Sequence, residues 1–489
     1  MNILKRILNS SSLLIFLAIS LVSFMALKNT LDFYFYSDDY AVLFHHINNI
    51  TYYPPFYTYV PKFYGWIYDL SGLNPRPYFT LSILAHIIAS FSLYLYTYKL
   101  TKQKIVALFA SLIFSTGYIG VESFSQMNTA TVDSLNVFFT ILLLIYQMKY
   151  FETRKISYYL MYIIIFYLGM ILFPFRAFQM ILFLLAADLI LTFRLGNLKQ
   201  YLKWVSELIK RNLSFLAIYF ILGVGSYGNS FLGKFIANFT TENRGLFFSV
   251  YGNMIFPNSV FPDLPKDFIG IISAITIVVI VFAIKKYKDL SRGLLLSLIF
   301  TFSGFIGFFM LLPGFDANAE VNRYLSLSFA SFAISISLIT YVILKNFSEQ
   351  KKIMLYIIIL VPYVVWLSNL SFSYQKKFVE ERSNHARKLF SDIKKFVPVI
   401  EKEKQNFFYF EVFNEGNILG RFDTSIQVAY MDPRVSLATH YLVPYEKINI
   451  ILDKDDFEKE LGNTNSKRNI YTFYYDKDGL HRTMYNYKK

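Results

Sequence analysis

Apolar runs long enough to cross a bilayer recur from the N-terminus to residue 373, separated by short polar connections. About 20 apolar residues span the hydrocarbon core as a helix, and a helix satisfies its own backbone there. The pattern predicts eleven spans, at roughly residues 10–31, 77–98, 105–120, 131–148, 157–173, 176–193, 212–229, 268–284, 293–312, 322–344 and 353–373. The first run follows Lys5 and Arg6, as in a signal peptide. It continues towards Leu31 with no small-x-small cleavage site, so it is expected to remain as the first span. Beyond residue 374 the apolar runs stop. Residues 377–404 read as a charged amphipathic helix, while Phe407–Phe413, Ile448–Leu452 and Ile470–Tyr475 read as strands.

The chain therefore divides into a membrane module, residues 1–374, and a soluble module, residues 375–489, about 115 residues and long enough for a small core. The fold class expected is an α-helical polytopic membrane protein with a small C-terminal α/β domain.

Charge fixes an orientation. The net charge is +15, and 20 basic residues fall in alternate, short connections, among them Lys99, Lys149, Lys199, Arg211, Lys285 and Lys352. The opposite connections up to residue 374 hold eight: Lys28, Lys62, Arg76, Arg176, Lys234, Arg244, Lys266 and Arg323. Basic loops stay inside, so the N-terminus is expected in the cytoplasm and the C-terminal domain outside, across the cytoplasmic membrane. The positive charge is then a topology signal, not a nucleic-acid surface. Cysteine is absent, which removes disulfides and thiolate metal sites.

The ionisable residues left on the outer side carry the candidate chemistry. Asp38 and Asp39 stand just after the first span, where acids beside a bilayer are usually functional. The first outer loop, 32–76, is dense in Tyr, Trp and Pro, which suits a hairpin at headgroup depth. Glu122 and Asp133 bracket the second loop, Arg176 sits in the third, Lys234 and Arg244 in the fourth, and Asp316, Glu320 and Arg323 in or after the fifth. A cleft collecting them suits a reaction with a hydroxyl nucleophile, whose proton a carboxylate takes, and an anionic leaving group held by Arg or Lys. No cytoplasmic loop shows a P-loop or Gly-rich nucleotide cradle, so a lipid-borne donor is expected. His45 and His46 point about 100° apart on a helix; one of them, His45, is expected to line the cavity, without a paired metal site. His86, in mid-span, is expected as a packed polar contact. His385, His440 and His481 are widely spaced and suggest no common site.

The segment Tyr36-Ser37-Asp38-Asp39 resembles the acidic pair that opens the first outer loop of the GT-C superfamily, polyprenyl-phosphate-sugar-dependent glycosyltransferases. Gly120-Val121-Glu122-Ser123 with Thr131-Val132-Asp133-Ser134-Leu135 is similar to the second outer loop of the O-mannosyltransferase branch that carries tetratricopeptide repeats. Pro174-Phe175-Arg176-Ala177 to Asp188, Phe248-Ser249-Val250-Tyr251 to Phe256-Pro257, and Asn322-Arg323-Tyr324-Leu325 resemble later segments of the same branch. Arg176 stands where a glutamate is expected, and no such repeats follow, so protein acceptors are not implied.

The resemblance covers roughly residues 10–373. It implies a GT-C-like fold and an inverting transfer of a sugar from a polyprenyl-phosphate donor to an extracytoplasmic acceptor, whose identity as glycan, lipid or protein it leaves open. It makes Asp38 the general base and Asp39 its orienting partner or a ligand for a divalent cation such as Mg or Mn, without separating the two acids. Glu122, with Asp133 and His45, would shape the acceptor side. Arg323, with Arg244 or Lys234, and with Arg176 and Tyr324, would hold the donor phosphate. Two other functions fit the same loops: a flippase for lipid-linked sugars, and a non-catalytic envelope assembly protein. Transporters tend to show internal repeats, and none is found.

Overall fold

The computed structural model describes residues 10–49, 59–172, 177–192, 198–219, 248–257, 260–287, 290–311, 325–413, 418–426, 432–462 and 468–483. The chain is mostly helical with one small sheet near its C-terminus. Among the described residues, seven helices are long and apolar enough to cross a membrane, and 156–172, 179–192 and 291–305 are apolar but shorter. The chain is a multi-pass membrane protein. Ten expected spans coincide with described helices. The span expected at 212–229 meets only the end of the helix Leu198–Tyr219, which carries charge on one side, and residues 220–247 lie outside the described ones.

Two compact units form. The first comprises residues 1–28, 82–124 and 129–372, the second residues 29–81, 125–128 and 373–489.

In the first unit, the helices Lys104–Thr116 (α5), Ser291–Leu311 (α13) and Ser326–Ile343 (α14) pack around buried Ala110, Ile113, Phe114, Phe300, Phe329 and Ala333. Helix α5 stops at Gly117, which is extended, and restarts as the short helix Tyr118–Glu122 (α6). The close approach explains the glycine: a Cβ there would lie 1.9 Å from Cε1 of Phe329. In the helices Ala177–Thr192 (α9) and Leu198–Tyr219 (α10), buried Asp188 accepts two hydrogen bonds from Arg211, at 2.8 and 3.1 Å, and one from Nδ2 of Asn212 at 2.7 Å. Paired acid and base with satisfied lone pairs are how charge is tolerated in an apolar bundle. The acid that ends α9 is therefore a helix-to-helix tie.

The second unit joins the first outer loop to the C-terminal residues. Its sheet has the order β2-β1-β3-β4, with Gln405–Val412 (β1) parallel to Ile448–Ile451 (β2) and to Arg468–Asp476 (β3), and β3 antiparallel to Gly479–Arg482 (β4). The three expected strands are these first three. Strand alternation sends successive side chains to opposite faces. Phe408 and Phe410 pack with Phe473 and with Tyr441 and Phe422 of the covering helices, while Tyr409 stacks on Phe457, centroids 4.0 Å apart. The charged helix expected at 377–404 is met over the end of the helix Glu349–Phe378 (α15), a π-helical turn at Val379–Ser383, and the helix Asn384–Phe396 (α16), but it stops at Phe396, and residues 397–404 are a turn leading into β1.

Candidate functional site

The acidic pair opens the helix Asp38–Ile47 (α2). A helix N-terminus leaves backbone N–H groups without intrahelical acceptors and favours negative charge, which is why two acids can share the first turn. Ser37 enters the turn at φ +52°, a left-handed backbone uncommon outside glycine. The two carboxylates then differ. Asp39 is fully buried, and its Oδ2 accepts the Tyr36 N–H at 3.1 Å, reaching back to close the turn. Asp38 is partly exposed.

The floor beneath this turn comes from the C-terminal residues. Tyr34 donates its backbone N–H to Oγ of Ser383 at 3.2 Å, and Arg387 donates to the carbonyl of Asp32 at 2.8 Å. Phe33 lies 4.5 Å from Phe378, ring to ring, and the Arg382 guanidinium sits 5.0 Å above the Tyr36 ring. Tyr40, fully buried, meets Phe390 at 5.5 Å and His440 at 5.7 Å. Burial pushes the Tyr40 phenol well above its ordinary value, with Tyr34 and the Asp39 carboxylate adding to the shift. Its hydroxyl stays protonated and is no base. Aromatic residues flanking the acidic pair thus pack the turn against the C-terminal residues.

The second half of the loop is the helix Tyr59–Ser71 (α3), packed on α2. Nε2 of His46 lies 3.2 Å from Oδ1 of Asp69, and the ring fits against Gly65, where a Cβ would lie 2.0 Å from Nδ1. His46, not His45, makes this bond; His45 is buried at the end of α2. Trp66 and Leu70, 68% and 90% exposed, occupy one face of α3, and residues 50–58 of the expected hairpin lie outside the described ones.

In the first unit, Glu122 and Asp133 are both buried, 1% and 3% exposed. Ser123 Oγ donates to Oδ2 of Asp133 at 3.0 Å and lies 3.4 Å from Oγ of Ser326, the first residue of α14. Nδ1 of His86 lies 3.5 Å from Oγ of Ser134, and the His86 ring stacks on Phe114 at 4.9 Å. His86 is the packed polar contact expected. Buried polar side chains thus surround the bent segment 117–124. Ser123 and Ser326 are the members that residue type alone did not single out, because serines are common in these segments and carry no distinguishing signal.

Arg176, Lys234, Arg244, Arg323 and Tyr324, the expected donor-phosphate set, lie outside the described residues, as do Asp316 and Glu320. Among the described residues no three His, Asp or Glu side chains come together in a way that could hold a metal ion.

The fold is similar to two solved structures of ArnT from Cupriavidus metallidurans. One is bound to undecaprenyl phosphate, with TM-score 0.47, 10% identity, and 96% of this chain and 94% of that one covered. The other is the apo state, with TM-score 0.47, 11% identity, and coverage of 95% and 93%. No family model matches the sequence. No curated protein matches it either.

Proposed function

We propose that this chain is a membrane glycosyltransferase of the GT-C type, moving a sugar from a polyprenyl-phosphate donor to a hydroxyl on an extracytoplasmic acceptor, with Asp38 as general base. The observation that carries this reading is the division of labour in the acidic turn. Asp39 is buried and committed to the Tyr36 amide, while Asp38 is held beside it at the helix N-terminus and partly exposed. A general base needs access to its substrate and a fixed geometry, and Asp38 has both.

In the proposed reaction Asp38 takes the proton of the acceptor hydroxyl as its oxygen attacks the anomeric carbon. The bond from that carbon to the phosphate oxygen breaks, and polyprenyl phosphate leaves with the negative charge. Arg323, with Arg244, Lys234 and Arg176, is assigned to that charge, because Arg and Lys stabilise departing phosphate, and Tyr324 is placed with them. Glu122 and Asp133 are assigned to shaping the acceptor side. One-step displacement inverts the anomeric configuration. The loop charges support an outward-facing reaction.

The test is transfer by the purified chain in lipid, using labelled polyprenyl-phosphate sugars and candidate acceptors. Asp38→Asn is expected to lower the rate by about 10²–10⁴. Transfer at the wild-type rate by Asp38→Asn defeats the assignment. Sugar-lipid translocation without transfer, unchanged in the variant, points to a flippase.

A further inference from the structure

The second unit contains a cleft of about 80 Å³ that the proposed reaction does not use. Three elements form it: α16, the helix Ile418–Ile426 (α17), and the turn between β3 and β4. Each contributes one permanent cation, respectively Lys388, Arg421 and Lys477, and His385 adds an imidazole. The opposing wall is apolar, from Leu389, Ile418 and the ring of Tyr475.

Asp476 is the acid among the lining residues, and it is already engaged. Its Oδ1 accepts the Asp478 N–H at 2.8 Å and pairs with Nε2 of His481 at 3.1 Å. Lys388 donates to the carbonyl of Asp478, a neutral acceptor, and makes no ion pair among the described residues, although Oδ2 of Asp392 also approaches Gly479. Arg421 makes no ion pair among the described residues, unlike Arg211, Arg434 and Arg468, each of which has a carboxylate. Like charges brought together beside an apolar wall repel more strongly than they would in open water. An oxyanion in the cleft relieves that repulsion, and the planar guanidinium fork matches phosphate and carboxylate geometry.

We propose that this cleft binds an oxyanionic group, a phosphate or a carboxylate, presented by a larger molecule whose remainder stays outside. The small volume admits the charged group alone. The site is separate from the acidic turn, and the inference does not rest on glycosyl transfer.

The experiment uses the full chain in nanodiscs of zwitterionic lipid, titrated calorimetrically with inorganic phosphate at low salt. Saturable binding with a dissociation constant on the order of 1 mM is expected. Arg421→Gln is expected to weaken it about tenfold, the loss of one charge-assisted contact. Lys477→Gln, on an exposed turn and so harmless to folding, is expected to weaken it less, and Lys402→Gln, outside the cleft, not at all. Absence of saturable binding by the wild type, or equal binding by the wild type and both cleft variants, overturns the proposal. Nanodiscs containing phosphatidylglycerol separate the two sources of the group. If a lipid headgroup already fills the cleft, the phosphate isotherm disappears there and returns when that lipid is removed. If the group comes on a soluble molecule, the isotherm is the same in both lipids. Either result supports an oxyanion site.

Discussion

His440 stacks on Phe390 with ring centroids 4.0 Å apart, and its imidazole lies 5.7 Å from Tyr40, the residue that follows Asp39. A histidine of the C-terminal residues is therefore part of the floor under the acidic turn. Its Nε2 has no hydrogen-bond partner among the described residues.

Burial, with the Lys394 charge nearby, holds His440 down at about 3. Unfolded, the same imidazole titrates near about 6.5. Between those values the unfolded chain binds a proton that the folded chain refuses. Stability is thus complete above about pH 6.5 and falls as pH drops towards 3, by up to roughly 1.4 kcal/mol per pH unit for this group. His440→Phe keeps a ring in the stack and removes the titration. Thermal unfolding of the pair should show the wild type losing ground to the variant from about pH 7 to about pH 4. A difference independent of pH would refute this role.

Asp39 and Asp38 should respond differently to substitution. Asp39→Ala removes the buried acceptor of the Tyr36 N–H and is expected to cost about 1–3 kcal/mol of stability, more than Asp38→Ala, whose carboxylate is partly exposed. Denaturation in detergent with matched activity assays separates the two. Equal destabilisation by both would contradict the division of labour.

Gly117→Ala is expected to destabilise the chain by about 1–3 kcal/mol, because the new methyl meets the Phe329 ring. Phe329→Leu in the same chain should recover part of the loss. A double-mutant cycle measures it, and additive losses would mean that the ring is not the obstacle.

Asp188→Ala leaves the Arg211 guanidinium buried without its carboxylate, a loss of about 3–5 kcal/mol. Replacing both, as Asp188→Leu with Arg211→Met, should cost less than Asp188→Ala alone, since the isolated charge is then removed. Thermal inactivation in detergent ranks the three. If the double replacement is the worst, the pair carries more than charge compensation.

Much of this architecture was legible in hydropathy. The spans stood out because a bilayer demands about 20 apolar residues in a row, and β1 to β3 because they are short runs rich in aromatic and β-branched residues within a charged region. Asp38 and Asp39 stood out by charge alone. What the sequence could not show is that residues 29–81 share a core with residues 373–489: Tyr34 and Ser383 meet across 349 positions. His440 looked like scatter for that reason, since its partners Phe390 and Tyr40 come from two distant segments. His481 and His385 looked equally unconnected, yet Asp476 bonds the first and lines the cleft with the second. Adjacent His45 and His46 could not be told apart until Asp69 took up one of them. The break at Gly117 was hidden inside an unbroken apolar run, because its cause is the ring of Phe329 on another helix.

The bond between the Tyr34 amide and Ser383 also sets a timetable. During synthesis the acidic turn leaves the ribosome more than three hundred residues before its floor exists. It cannot take its final packing until the helix Glu349–Phe378 has been made and the residues after it have emerged. An incomplete chain therefore carries Asp38 on an unsupported loop, and the acidic turn gains its floor only once the last of the long apolar helices has been made.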